Sequence, residues 1–115
     1  IEAAKELRAS GVGTVVISLG GAGAVLVDEV GVLAGSSHAA DVRSSVGAGD
    51  CFLAGYLGAV DSGRENALLH ALAYGAAAVQ LPGSQVPGPT EVDLSAARLF
   101  DADELARSLG MPTAR

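Results

Sequence analysis

The sequence predicts an α/β domain, and three features of the chain lead to that prediction. Short β-branched runs fill its first third, runs with helical periodicity fill its middle, and glycine-rich turns separate them. Half of the 115 residues are apolar, only 3% are aromatic, and 16 are glycine. We therefore expect one core of aliphatic and alanine side chains, with the glycines in tight turns between elements.

The predicted elements are a helix, three strands and two further helices, in that order. Residues 1–8 have amphipathic helical spacing, and Gly11 follows where a C-terminal glycine cap belongs. Strands are expected at 14–18, 24–28 and 32–34, with a hairpin-like connection at 29–31. The β-branched run at 14–18 favours a strand buried on both faces, as in a parallel sheet. Because the chain opens without Met or an N-cap, we expect it to begin inside an element.

The second half of the chain is predicted to be mainly helical. Helical spacing over 52–59 and 64–80 predicts two helices, separated at Asp61-Ser62-Gly63. A short extended piece is expected at 39–42, and a loop at 81–89, which holds three prolines. Weaker helical patterns cover 94–99 and 102–109. Asp101 and its acidic neighbours are expected to cap the last of these helices.

Charge and cysteine content narrow the possible functions. The formal net charge is −6, from 13 acidic and 7 basic residues, so nucleic acid and anionic membranes are not expected as partners. Cys51 is the only cysteine, which excludes an internal disulfide and a cysteine-rich zinc site. His38 and His70 have no ligands at metal-binding spacing, so no metal-ligating residue is predicted. No apolar run approaches the roughly 18 residues of a membrane span. A cytoplasmic protein is expected.

The segment around Gly47-Ala48-Gly49-Asp50 is the most informative part of the sequence. Strand-like residues precede it and helix-like residues follow it. The free N–H groups and the dipole of a helix start bind anions, and phosphate oxygens fit such a site. Asp50 would lie beside that anion and could accept the proton of an attacking hydroxyl. The alternative is that Asp50 only caps the helix. The segment matches neither the P-loop nor the dinucleotide pattern, because no Lys follows and Phe52 replaces the third glycine.

Two motifs resemble those of a known family, the ribokinase-like carbohydrate kinases of the phosphofructokinase-B family. The C-terminal signature of that family is similar to Val46-Gly47-Ala48-Gly49-Asp50-x-Phe52-x-Ala54-Gly55. Its nucleotide loop resembles Ser18-Leu19-Gly20-Gly21-Ala22-Gly23. The resemblance covers about residues 1–99. The sequence of residues 81–87 most resembles that of 1-phosphofructokinase and tagatose-6-phosphate kinase.

The resemblance implies a ribokinase-like layered α/β/α fold, of which this chain would hold only the C-terminal portion. Residues 1–115 would form the nucleotide-binding part of a single kinase domain whose N-terminal part is absent. The reaction implied is ATP-dependent phosphorylation of a sugar phosphate, foremost fructose 1-phosphate to fructose 1,6-bisphosphate. ATP and Mg²⁺ are the implied cofactors, and the parent enzyme could be a homodimer.

The resemblance also assigns roles to individual residues. Asp50 would be the catalytic base, and residues 74–78 would lie near the adenine. The anion hole would consist of Gly47, Ala48 and Gly49. The residues implied at the ATP phosphates and ribose are Ser18, Gly20, Gly21 and Gly23.

Departures from the family pattern leave a second function open. Ser44-Ser45 stands where the family often has Asp-Thr or Asn-Thr. The family's sugar-contacting residues, its lid strands and an Asn-x-x-x-Glu motif linked to magnesium would lie upstream of Ile1. We therefore expect that these 115 residues alone do not phosphorylate a sugar. The alternative function is a non-catalytic module that binds a nucleotide or an anion.

Overall fold

A computed structural model describes residues 2–18, 23–38, 48–80, 87, 92–101, 104 and 107. Its helices are α1 (Glu2–Ala9), α2 (Ala48–Ala59) and α3 (Arg64–Val79). Its strands are β1 (Val15–Ser18), β2 (Ala24–Val27), β3 (Val32–Ser37) and β4 (Ala97–Phe100). The chain divides into two compact units. The first unit comprises residues 1–35 and 99–115, and the second comprises residues 36–98.

The sheet is antiparallel where its register is defined. Val15 pairs with Val27 and Ser18 with Ala24, while Leu26 lies between Val16 and Leu33. The strand order across the sheet is β1-β2-β3-β4, which is the order of the chain. All four residues of β2 are buried, as expected for a strand with a neighbour on each side.

The core of the first unit forms where α1 packs against β1 and β2. Ala4 of α1 is fully buried, and its small side chain lets the helix lie close to the strands. Val25 and Val27 alternate onto one face of β2, because successive side chains of a strand point to opposite faces. The buried residues of this cluster are Ala4, Val15, Val25, Val27 and Ala34, with Ile17, Val32 and Phe100 packed against them.

A tight turn joins β2 to β3. The Asp28 carboxylate accepts hydrogen bonds from the backbone N–H groups of Val30 (3.0 Å) and Gly31 (3.2 Å). The Asp28 N–H donates to the Gly31 carbonyl at 3.1 Å. Gly31 has φ +143°, a conformation that side chains disfavour, so glycine suits this position. The hairpin-like connection predicted at 29–31 is confirmed.

The second unit is built on close packing between α2 and α3. A 3-10 turn at Val60–Ser62 and Gly63, at φ +106°, separate the two helices where the sequence predicts a break. A Cβ atom built on Gly55 would lie 2.6 Å from the His70 carbonyl oxygen and 3.0 Å from the Tyr74 Cβ. The buried residues of α3 are mostly alanine: Ala67, Leu68, Ala71, Leu72, Ala73, Ala76, Ala77 and Ala78.

Two sequence predictions about the elements are wrong. β1 is not part of a parallel pair, because the five residues between β1 and β2 are too few for a parallel crossover. Its burial also falls from Val15 to Ser18. The segment 94–99 is not a helix. It consists of one 3-10 turn, Leu94–Ala96, which Asp93 caps by accepting a hydrogen bond from the Ser95 N–H, and it then extends as β4.

The other predicted elements agree with the structure within a few residues. The piece predicted at 39–42 and most of the loop at 81–89 lie outside the described residues. In the segment 102–109, Glu104 and Arg107 are helical. The Glu104 N–H donates to the Asp101 carboxylate at 2.8 Å, as expected for a helix cap. Among the helices that can be described, none is long and apolar enough to span a bilayer.

The α2–α3 contact predicts how the fold responds to a methyl group. Gly55→Ala is expected to destabilise the protein by about 1–3 kcal/mol, because the helices must separate to admit the new Cβ. Gly58→Ala is the matched control, since a Cβ at Gly58 meets no atom within 4 Å. It should raise stability by about 0.5–1 kcal/mol through helix propensity. Urea unfolding measures both, and equal midpoints for the two variants would contradict the packing described.

Candidate functional site

The first turn of α2 carries a carboxylate and backbone donors on an accessible helix end. Ala48 begins the helix and is half-buried, while Gly49 and Asp50 are exposed. The first four N–H groups of a helix have no acceptor within the helix, and they give this end a partial positive charge. Asp50 therefore lies within the same turn as several donors that can bind an anion.

Packing against α3 fixes this turn and leaves one side of it open. A Cβ on Gly75 of α3 would lie 3.8 Å from both the Ala48 carbonyl oxygen and the Phe52 Cβ. The start of α2 is thus held against α3 on that side. By contrast, a Cβ on Gly49 would meet no atom of the described residues within 4 Å, apart from its chain neighbours and the backbone of its own helix. No described side chain beyond these neighbours therefore blocks a ligand from the backbone at Gly49.

The predicted nucleotide loop is described only at its two ends, which lie in the first unit. Ser18 is the exposed last residue of β1 and pairs with Ala24. Gly23 precedes Ala24, is buried and has φ +120°. The antiparallel pairing therefore brings Ser18 and Gly23 close together, and the backbone at Gly23 requires glycine. Gly20, Gly21 and Gly47 lie outside the described residues, and the proposed roles in nucleotide binding stay predictions.

The side chains of the described residues do not form a ligand set for a metal ion. No three His, Cys, Asp or Glu residues lie close enough together within that part of the chain to hold one. Cys51 lies buried on the same side of α2 as Gly55, consistent with the packing role expected from the sequence. Asp50 is the one acidic residue in the first turn of α2. Within the described part of the chain, the first turn of α2 therefore offers backbone donors and one carboxylate.

Sequence reasoning missed a polar cavity of about 620 Å³ in the second unit. It lies beside the end of β3, where the His38 N–H donates to the Ala96 carbonyl at 2.8 Å. From the sequence, His38 is expected only to be satisfied or solvent-facing. The polar side chains come from three separate segments, so no local motif reveals the cavity. The lining residues are Ser36, Ser37, His38, Gln80, Asp93, Ser95, Ala96, Ala97 and Arg98.

Asp93 has a local hydrogen-bond network at the rim of this cavity. Its carboxylate accepts hydrogen bonds from the Ser95 hydroxyl at 2.6 Å and from the Ser95 backbone N–H at 3.0 Å. The hydroxyl bond is the largest cause that lowers the pKa of Asp93, followed by the backbone bond, while slight desolvation opposes them. Asp93 is therefore held as a carboxylate that caps the start of the 3-10 turn.

The start of α2 combines backbone donors with an exposed carboxylate, and helix starts of this kind are where phosphate groups commonly bind in proteins. Comparison with known proteins identifies the family. The model of the pfkB family carbohydrate kinases matches residues 1–91, and this chain belongs to that family. The predicted resemblance is thereby confirmed.

Two curated relatives carry the same name. The chain is 41% identical over 91 residues to 1-phosphofructokinase of Rhodobacter capsulatus, covering 76% of this chain and 28% of that protein. It is 36% identical over 94 residues to 1-phosphofructokinase of Haloferax volcanii, covering 80% of this chain and 31% of that protein. The chain therefore spans less than a third of the length of each of these relatives.

Solved structures confirm the fold. A Staphylococcus aureus structure assigned as a phosphofructokinase matches with a TM-score of 0.77 and 26% identity, over 88% of this chain and 34% of that one. Phosphofructokinase-2 of Escherichia coli, in complex with substrates and products, matches with a TM-score of 0.71 and 28% identity. That match covers 78% of this chain and 30% of the other. The predicted ribokinase-like α/β fold is confirmed.

The Asp93 network predicts a measurable titration change. In Ser95→Ala the pKa of Asp93 should rise towards its ordinary value, because the largest cause of its lowering is lost. Because folding lowers the pKa of Asp93, its carboxylate stabilises the fold at pH values above its ordinary pKa. That stabilisation is lost as the pH falls through the pKa of the folded protein. Carboxyl-carbon NMR titration measures the change. Ser37→Ala is the control, since Ser37 lines the same cavity but is not a cause of the shift. An unchanged pKa in Ser95→Ala would contradict the network.

Proposed function

We propose that this chain provides the phosphate-binding and base-carrying part of an ATP-dependent kinase that phosphorylates a sugar phosphate. Family membership supports the reaction class, since the matching family is one of carbohydrate kinases. The names of both curated relatives favour fructose 1-phosphate as acceptor and fructose 1,6-bisphosphate as product. The same proposal includes a cytoplasmic location and a homodimeric parent enzyme.

The position of Asp50 is the single observation that carries the proposal. Asp50 is exposed in the first turn of α2, inside the residues that match the family, and the backbone beside it is open. If Asp50 only capped the helix, the neighbouring residue Gly49 would not need to lack a side chain. An accessible carboxylate beside an anion site fits the needs of phosphoryl transfer.

The chemistry assigned to this chain consists of one proton transfer and charge stabilisation. The Asp50 carboxylate accepts the proton of the acceptor hydroxyl as its oxygen forms a bond to the terminal phosphorus of ATP. The bond from that phosphorus to the bridging oxygen breaks, and ADP leaves with the electron pair. The N–H groups at the start of α2 stabilise negative charge on the transferring phosphoryl oxygens.

The ATP-binding and magnesium-binding parts of the proposal differ in their support. Ser18 and Gly23 form the ends of an antiparallel hairpin whose backbone needs glycine, which suits a loop that closely approaches a phosphate. The described side chains bring together no ligand set for Mg²⁺.

A second candidate function is a non-catalytic module that binds a nucleotide or an anion. The observation that favours it is that the chain spans only 28% and 31% of the curated relatives. Asp50 argues against it, because a carboxylate beside bound phosphate repels the ligand unless it takes part in the reaction. We also expect that the 115 residues alone show no turnover.

The Asp50→Asn variant of the full-length natural protein tests whether Asp50 is the base. ADP release with fructose 1-phosphate should fall by about 10²–10⁴-fold, because general base catalysis contributes rate factors of that order. ATP affinity, measured by calorimetry, should not fall. Fructose 6-phosphate and tagatose 6-phosphate serve as competing acceptors.

Asp61→Asn is the matched control for that experiment. It removes the same charge from another exposed acidic residue, in the 3-10 turn after α2. Its turnover should stay close to that of the unmodified protein. Full activity of Asp50→Asn would contradict the base assignment. Binding of ATP without turnover of any acceptor would favour the non-catalytic module.

Gly49→Leu tests whether phosphate approaches the start of α2. Because a Cβ there meets no atom of the described residues within 4 Å and leucine favours helix more than glycine does, the unfolding midpoint of the variant should not fall. ATP affinity should fall at least about tenfold, since the side chain would block the backbone donors. Gly13→Leu makes the same change at another open glycine, outside the helices and strands. Equal ATP affinity in the two variants, measured by calorimetry, would contradict phosphate binding at this turn.

A further inference from the structure

We draw no further inference here: the strongest candidate, the polar cavity beside the end of β3 that is lined by His38, Gln80 and Ser95 among others, has no buried polar side chain among its described lining residues, and nothing in the described part of the structure shows which ligand it would hold.

Discussion

The near approach of α2 to α3 at Gly55 is the constraint on which the second unit depends. No Cβ fits between Gly55 and the His70 carbonyl oxygen, where a built atom would lie 2.6 Å away. Once this contact is made, helical spacing decides the direction of every other side chain of α2. Cys51 lies one turn from Gly55 on the buried side, and Asp50 and Leu53 lie on exposed positions. A packing contact between small residues therefore orients the candidate base.

Glycines on α2 serve two different physical purposes. At Gly55 the missing side chain permits close helix packing, since the surrounding atoms leave no room for a methyl group. At Gly49 a Cβ would meet no atom of the described residues within 4 Å, so packing among these residues gives no reason for glycine there. Glycine within a helix lowers its stability by about 0.5–1 kcal/mol relative to alanine. No packing contact among the described residues requires this loss at Gly49, which agrees with the proposed approach of phosphate to the backbone there.

Local patterns in the sequence predict the parts of the structure that depend on neighbouring residues. The helical period around Leu68 and Leu72 predicts α3, and the residues 29–31 that end in Gly31 predict the turn between two strands. The direction of strand pairing cannot be predicted from such local patterns. A β-branched run indicates that a strand is buried, but not whether the strand beside it is parallel or antiparallel. β1 is antiparallel although its run resembles a parallel strand. Residues 94–99 have a helical pattern in the sequence, but the cap at Asp93 and strand pairing determine their structure.

The candidate site shows the same division between local and long-range information. The motif places Asp50 in the first turn of a helix, and the structure has it there. The cavity beside His38 could not be predicted, because Gln80 and Ser95 reach it from distant segments.

The environment of Asp50 likewise depends on residues beyond its own helix. Asp50 is exposed on α2, so water can reach its carboxylate. Exclusion of that water would strengthen the interaction of a phosphate with the helix dipole. The chemistry proposed for the first turn of α2 therefore depends on what surrounds Asp50 as well as on the helix itself.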